Sequence, residues 1–235
     1  MTYKLAASCA ALSWMAITPL LSAAESVQRP EQVSSTERVA FASGGTIRFN
    51  DSFGDLYVEG WDQPQVEMTL IKGFDDYEPP KNAPEQLAQV KFTTGHPSET
   101  ELAIGTSIPS HSFFRHPFGG KGPVTVRYEL RVPRDSHLVI HHGGGNILIG
   151  NIIGNIEATN REGDIVLMLP GPGPYSIDAR SKMGTVISDF AGKPRVRYFI
   201  GERYAGADAN APRKIFLRVG FGGITIKEVP PEALR

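Results

Sequence analysis

The side chains best suited to chemistry are few and scattered. His111 and His116 stand in one group, and His141 and His142 in another. Imidazole is a common zinc ligand, but a protein site needs three or four ligands. Adjacent residues on a strand point to opposite faces, so His141 and His142 do not readily share one ion. His142-Gly143-Gly144-Gly145 has the form of an esterase oxyanion loop, where glycine amides stabilise a developing negative charge. That chemistry needs a nucleophile on a Gly-x-Ser-x-Gly turn, which the chain lacks, and a glycine turn opening a repeat is the plainer reading. No phosphate loop of the Gly-x-Gly-x-x-Gly or Gly-Lys-Ser/Thr kind is present.

Carboxylates give two further possibilities. Asp51, Asp55 and Asp62 lie near glycine turns and could hold calcium, but the Gly-Gly-x-Gly-x-Asp repeat of calcium-binding β-rolls is absent. Glycoside cleavage needs two carboxyl groups facing each other across a groove. Asp164, Asp178 and Asp189 are the candidates, each read more simply as a turn or surface residue. No catalytic, cofactor-binding or metal residue is therefore expected, and the chain is read as non-enzymatic. A polysaccharide-active enzyme is the alternative. One loop stands out instead: Phe113, Phe114, Arg115, His116 and Phe118 combine aromatic rings with cations, either covering an open end of the fold or contacting a partner.

The elements that would position these groups follow from a repeat. Gly145-Asn146-Ile147, Gly154-Asn155-Ile156 and Gly163-Asp164-Ile165 recur nine residues apart, and Gly45-Thr46-Ile47 and Gly54-Asp55-Leu56 are an earlier pair at the same spacing. Gly184-Thr185-Val186 restates the turn. Glycine followed by Asn or Asp is a turn signal, and a short β-branched run follows each one. Val124 to Val132 alternates apolar and polar residues as a half-buried strand does. The expected fold is all-β, a β-solenoid or β-helix-like stack of short strands with Gly-Asn/Asp turns, in which Asn146, Asn155 and Asp164 form one ladder. Apolar character on both faces of Ile165–Leu169 favours that stack over the alternative, an antiparallel meander or sandwich.

At 235 residues and 40% hydrophobic content, the chain is long enough to bury a sizeable core. Residues 1–24 read as a signal peptide: Lys4, an apolar run to Leu21, then Ser22-Ala23-Ala24 before Glu25. Residues 25–38 read as a flexible leader and 39–235 as the repeat domain. Cys9 is the single cysteine and lies in the first segment. The mature chain would carry a net charge of about −2 with no block of like charge, so no nucleic-acid partner is expected. No later segment is apolar enough to span a bilayer.

Together, the leader, Gly54-Asp55-Leu56-Tyr57-Val58-Glu59-Gly60-Trp61-Asp62, the strand ending at Val132-Pro133, the glycine repeats and Ser181 to Asp189 resemble a bacterial family of exported adhesin-like proteins. The chain is also similar in style to the head domains of some autotransporter adhesins. The resemblance implies a β-solenoid in the periplasm or at the cell surface and carries over no catalytic residue. It implies a binding or structural module of the cell envelope, whose partner would be a protein or polysaccharide. An envelope-stress accessory that binds a membrane protein is the further alternative.

Overall fold

The computed structural model describes residues 32–74, 83–107, 124–171, 173–197, 200–206 and 210–230. Among them are seventeen strands and one short helix. In chain order these are β1 (Gln32–Ala40), β2 (Thr46–Phe53), β3 (Asp55–Trp61), β4 (Gln65–Phe74), α1 (Ala83–Gln89), β5 (Lys91–Ser98) and β6 (Glu101–Ser107). There follow β7 (Val124–Pro133), β8 (His137–Gly144), β9 (Ile147–Gly150), β10 (Ile156–Glu162), β11 (Ile165–Pro170) and β12 (Tyr175–Met183). The last are β13 (Val186–Ser188), β14 (Gly192–Arg197), β15 (Gly201–Gly206), β16 (Arg213–Phe221) and β17 (Ile224–Val229).

The strands form two mixed sheets, ordered β1-β4-β7-β3-β9-β11-β17-β13 and β14-β15-β12-β16-β10-β8-β2-β6-β5. Each sheet has a parallel centre. Between β6 and β12 in the larger sheet, and between β7 and β13 in the smaller, every neighbouring pair is parallel. Antiparallel strands lie only at the ends: β5 on β6, β4 on β7 and β1 on β4 at one end, and β15 on β12 and β14 on β15 at the other. An antiparallel end strand can follow a short connection, whereas parallel neighbours need the chain to cross over and return. Here the crossover strand is itself part of the opposite sheet.

Consecutive strands therefore alternate between sheets as two-strand rungs, and the rungs stand in the order β6–β7, β2–β3, β8–β9, β10–β11, β16–β17, β12–β13. Stacking of successive units holds from β8 to β11. It fails elsewhere, because the β16–β17 rung stands between β10–β11 and β12–β13, and β6–β7 stands outside β2–β3. A solenoid wound in chain order is not what the ladders show; two mixed sheets over one core also fit the sandwich alternative. The nine-residue period is half a rung. Asn155 accordingly lies at the opposite edge from Asn146 and Asp164, where its carbonyl accepts from Leu138 N at 2.9 Å and its side chain from Lys214 N at 2.8 Å. Residues 32–38, expected in the flexible leader, belong to β1, whose backbone pairs with β4 from Gln32 to Ala40.

The two sheets share one hydrophobic core. Leu56, Ile147, Ile165 and Ile224 line up in one row of the smaller sheet, with Ile47, Leu138, Ile156, Ile215 and Ile177 in a row of the larger. Burying each such side chain stabilises the fold by about 1.5–3 kcal/mol. Tyr128 of β7 is fully buried, packed edge-on against Phe49 at 5.3 Å between ring centroids. The outer face of the smaller sheet carries a second apolar row, Tyr57, Leu148, Val166, Thr225 and Ile187, in direct register. This row accounts for the two-sided hydrophobicity of β11.

Glycines set the edge at which each rung passes from the larger sheet to the smaller. Gly54, Gly145, Gly163, Gly222 and Gly184 have φ between +111 and +146. A Cβ at Gly145 would overlap the Gly54 carbonyl, one at Gly163 the Gly145 carbonyl, one at Gly222 the Gly163 carbonyl and one at Gly184 the Gly222 carbonyl. The rungs thus meet through a column of stacked glycines. Gly45 and Gly154 belong to the other edge, at ordinary φ, and are kept small by Phe41 and by the Ser136 carbonyl respectively.

Candidate functional site: an arginine row on one sheet face

The polar groups nearest the glycine column serve the backbone. Asp55 accepts from Asn146 N at 3.1 Å, Asn146 Oδ1 accepts from Asp164 N at 3.1 Å, and Asp164 Oδ1 accepts from Gly223 N at 2.7 Å. The expected ladder of Asn146, Asn155 and Asp164 is not formed, because Asn155 lies at the opposite edge; the chain of contacts runs instead through Asp55, Asn146 and Asp164. Three residues before each of three turn glycines a buried polar side chain donates to the neighbouring glycine carbonyl. His142 Nε2 reaches Gly54 O at 2.7 Å, Asn160 Nδ2 reaches Gly145 O at 2.8 Å and Ser181 Oγ reaches Gly222 O at 2.7 Å. Burial pushes the His142 imidazolium down to a pKa of about 4, against bonds to the Gly54 and Gly144 backbone and the charge of Asp55, so the ring is neutral at pH 7.

The structure gives most of the groups weighed from the sequence a place. The His142–Gly145 loop is a repeat turn: the Gly145 amide already donates to Glu162 O at 3.0 Å. His141 is exposed and bonds Asn50 through Nδ1, while His142 is buried on the other face. No group of three His, Cys, Asp or Glu that could hold a metal occurs among the described residues. Asp62 pairs with Arg134, and the side chain of Asp51 lies outside what is described. Asp164, Asp178 and Asp189 fall at the turn edge, the middle of β12 and the end of β13, and each is engaged: Asp164 with Gly223 N, Asp178 with two arginines, Asp189 with Glu228 N. The structure does not bring them together. The loop with Phe113, Phe114, Arg115, His116 and Phe118 lies outside the described residues.

What the strand pairing does bring together is cationic. On the outer face of the larger sheet, Arg218 of β16 is opposite Arg180 of β12, Arg180 is opposite Arg203 of β15, and Arg203 is opposite Arg195 of β14. With strands about 4.8 Å apart, four guanidinium stems stand abreast over roughly 14 Å. The row continues with Thr159, His141 and Asn50. Exposed Arg161 and Lys182 flank it on the turn side.

Two of these arginines are held in place. Arg218 donates to the Asp178 carboxylate at 3.0 Å and to the carbonyls of Asp178 and Leu217 at 2.8 Å each, with its guanidinium 3.5 Å from the Phe216 ring centroid. Arg203 reaches the same carboxylate through two nitrogens, at 3.3 and 3.1 Å. Partial burial alone would raise the Asp178 pKa, but the bonds from Arg218 and Arg203 outweigh it and hold the carboxyl below its ordinary value. Arg180 and Arg195 have no carboxylate partner among the described residues. One carboxylate thus fixes two guanidinium groups, Arg218 and Arg203, which alternate along the row with half-buried Arg180 and exposed Arg195. Arginine in such an array suits planar anions, which it grips through paired N–H bonds.

Sequence reasoning missed this row because its members lie at positions 180, 195, 203 and 218, in a chain of near-zero net charge. The usable signal was the alternation around Ile177, Ala179 and Ser181, which sends Asp178 and Arg180 to one face. Which strand lies beside which was not readable, and the row depends on that.

No protein-family model matches the chain, and no curated protein matches it. Solved structures do resemble it. A "putative cell adhesion protein" from Clostridium sporogenes is 13% identical with a TM-score of 0.46, covering 86% of this chain and 100% of that one. A "putative adhesin" from Bacteroides fragilis is 12% identical with a TM-score of 0.27, over 84% of this chain and 99% of that one. Another "putative adhesin", from Parabacteroides merdae, is 10% identical with a TM-score of 0.22, over 83% and 78%. Likeness of this degree identifies no ligand.

Proposed function

We propose that the chain is a non-enzymatic, adhesin-like binding module of the bacterial envelope, and that the outer face of its larger sheet is the binding surface. The arginine row carries this reading. Four like charges placed abreast repel one another, and Arg180 and Arg195, which have no carboxylate partner among the described residues, gain most from an external anion. The backing is stiff: every strand beneath the row is paired on both sides except β14, and Asp178 fixes Arg218 and Arg203. A surface organised before binding loses little freedom when it engages a partner. Winding of rungs between two sheets, although out of chain order, supports a solenoid-like reading of the glycine repeat, and the apolar segment before Glu25 supports export.

The test is co-sedimentation of mature protein, residues 25–235, with purified envelope fragments at low and high salt. Wild type should sediment at low salt and be released at high salt. Arg180→Glu combined with Arg195→Glu should remain in the supernatant. Equal sedimentation of both proteins, or of neither, would remove the support for this face. Mass spectrometry of the exported product should give an N-terminus at Glu25.

A further inference from the structure

We infer that the arginine row recognises a linear acidic polysaccharide, its carboxylates or sulfates lying along the row across β16, β12, β15 and β14. The inference rests on the binding-face reading above and names the class of ligand.

Three observations favour a charged glycan over other polyanions. First, the face mixes its cations with neutral hydrogen-bonding groups and with acids. Thr159, His141 and Asn50 extend the row, and Asp178 and Glu157 sit in the adjoining one. Hydroxyl-rich sugars match such alternation, since each residue of an acidic glycan offers one anion among several uncharged donors and acceptors. A nucleic-acid backbone carries a charge on every unit and would meet the two acids unfavourably. Second, proteins that hold single strands stack bases on open aromatic faces. The aromatic residue beside the row is Phe216, and Arg218 already lies over its ring at 3.5 Å. Third, the cations are arginines, whose rigid fork matches a carboxylate or sulfate in two simultaneous bonds. Among the described residues the face offers little apolar area to a lipid bilayer: Phe216, 39% exposed, lies under Arg218, and Met183 and Phe221 lie at the turn edge, beyond Arg180 and Arg218 along their strands.

The spacing gives the mode of contact. Arg218 and Arg203 are tied to Asp178, so the strongest grips belong to Arg180 and Arg195, separated by β15. A chain crossing the strands would place successive anions over these two, with Arg203 between them free to exchange its partner. Asp178 then competes with the ligand for Arg203 and Arg218 and restrains affinity. No bond is made or broken in this event.

Binding of the mature protein to polygalacturonate should be measured by titration calorimetry. Dextran serves as the uncharged control, with phosphatidylglycerol vesicles and a single-stranded oligonucleotide as competing polyanions. Polygalacturonate should bind, dextran should not, and the affinity should fall steeply with salt. Arg180→Glu and Arg195→Glu should each weaken binding at least tenfold without altering the circular dichroism spectrum, and Asp178→Asn should tighten it several-fold. Tightening by Asp178→Asn is the sharper readout, since a variant that damaged the fold would not bind better. If vesicles or the oligonucleotide bind more tightly than the polyuronate through the same arginines, the glycan inference is overturned while the binding-face reading survives. If no probe depends on Arg180 or Arg195, both fail.

Discussion

The column of glycines at the rung edge makes a quantitative claim that two alanine substitutions can separate. Gly44 and Gly163 both have positive φ, +78 and +111. Around Gly44 nothing lies within 4 Å of an added Cβ, whereas at Gly163 the added carbon would overlap the Gly145 carbonyl of the neighbouring rung. Gly44→Ala therefore incurs only the backbone penalty, about 1–2 kcal/mol, partly offset by about 0.4–1 kcal/mol from a stiffer unfolded chain. A net loss near 1 kcal/mol is expected. Gly163→Ala incurs the same penalty and must also push back a carbonyl that accepts from buried Asn160 at 2.8 Å. Losing that bond at a buried site adds about 1–3 kcal/mol, for a total of roughly 2–4 kcal/mol. Urea denaturation followed by far-ultraviolet circular dichroism gives both values, and the slope m should not change. At roughly 2–4 °C per kcal/mol for a chain of this size, Tm should fall by about 10 °C for Gly163→Ala and by a few degrees for Gly44→Ala. If the two variants agree within about 0.5 kcal/mol, the rungs are not in steric register through their glycines and the packing argument is wrong.

Three other outcomes follow from the same structure. Asn160→Ala should cost about 2 kcal/mol by leaving the Gly145 carbonyl without its side-chain donor, a loss that denaturation would register. His142 is protonated more readily in the unfolded chain, near its ordinary 6.5, than in the fold, near 4, so its contribution is complete above about pH 6.5 and is lost as pH falls toward 4. Stability of wild type measured from pH 7.5 down to 4.5 should drop by up to about 3 kcal/mol more than that of His142→Gln; parallel curves would show that the ring is not buried neutral. Leu167→Ala, at a core position with 0% exposure, should cost about 3 kcal/mol, while Ile187→Ala, at 59% exposure, should change the denaturation midpoint by less than about 0.5 kcal/mol equivalent.

Local features were legible in the sequence, and pairings were not. The alternation from Val124 to Val132 reads directly as β7, whereas Gly95-His96-Pro97, turn-forming by composition, stays within β5 and the β5–β6 turn falls at Glu99-Thr100. Glycine followed by Asn or Asp marks turns because few other residues tolerate the backbone there. The same signal could not say that Asn155 faces the other edge, since a nine-residue spacing is shared by a half rung and a full short coil. Gly222 escaped the repeat because Gly223 replaces the Asx residue after it, yet its φ of +135 places it in the column. Residues 32–38 looked mobile because they are polar, but an edge strand with both faces open to water has no need of apolar residues, and backbone bonds to β4 suffice. The arginine row needed knowledge of neighbours up to 38 positions apart in the chain.

The order of the rungs also constrains how the molecule can be made. β16 and β17 are nearly the last strands synthesised, but they stand between the β10–β11 rung and the β12–β13 rung. Until residues up to Val229 are available, β12 and β13 have no parallel neighbour to join, and β10 and β11 end in open edges. Folding from the N-terminus during synthesis can proceed only to the fourth rung; the last two must assemble together, with a late segment sliding between earlier ones. Such pairing of distant segments is slow and holds back the final closure. A chain truncated before β16 would expose two bare strand edges and the apolar faces of Ile156 and Ile165, a surface prone to aggregate. The topology thus acts as a completeness check, in which the last two rungs gain their parallel neighbours only once β16 and β17 have been made.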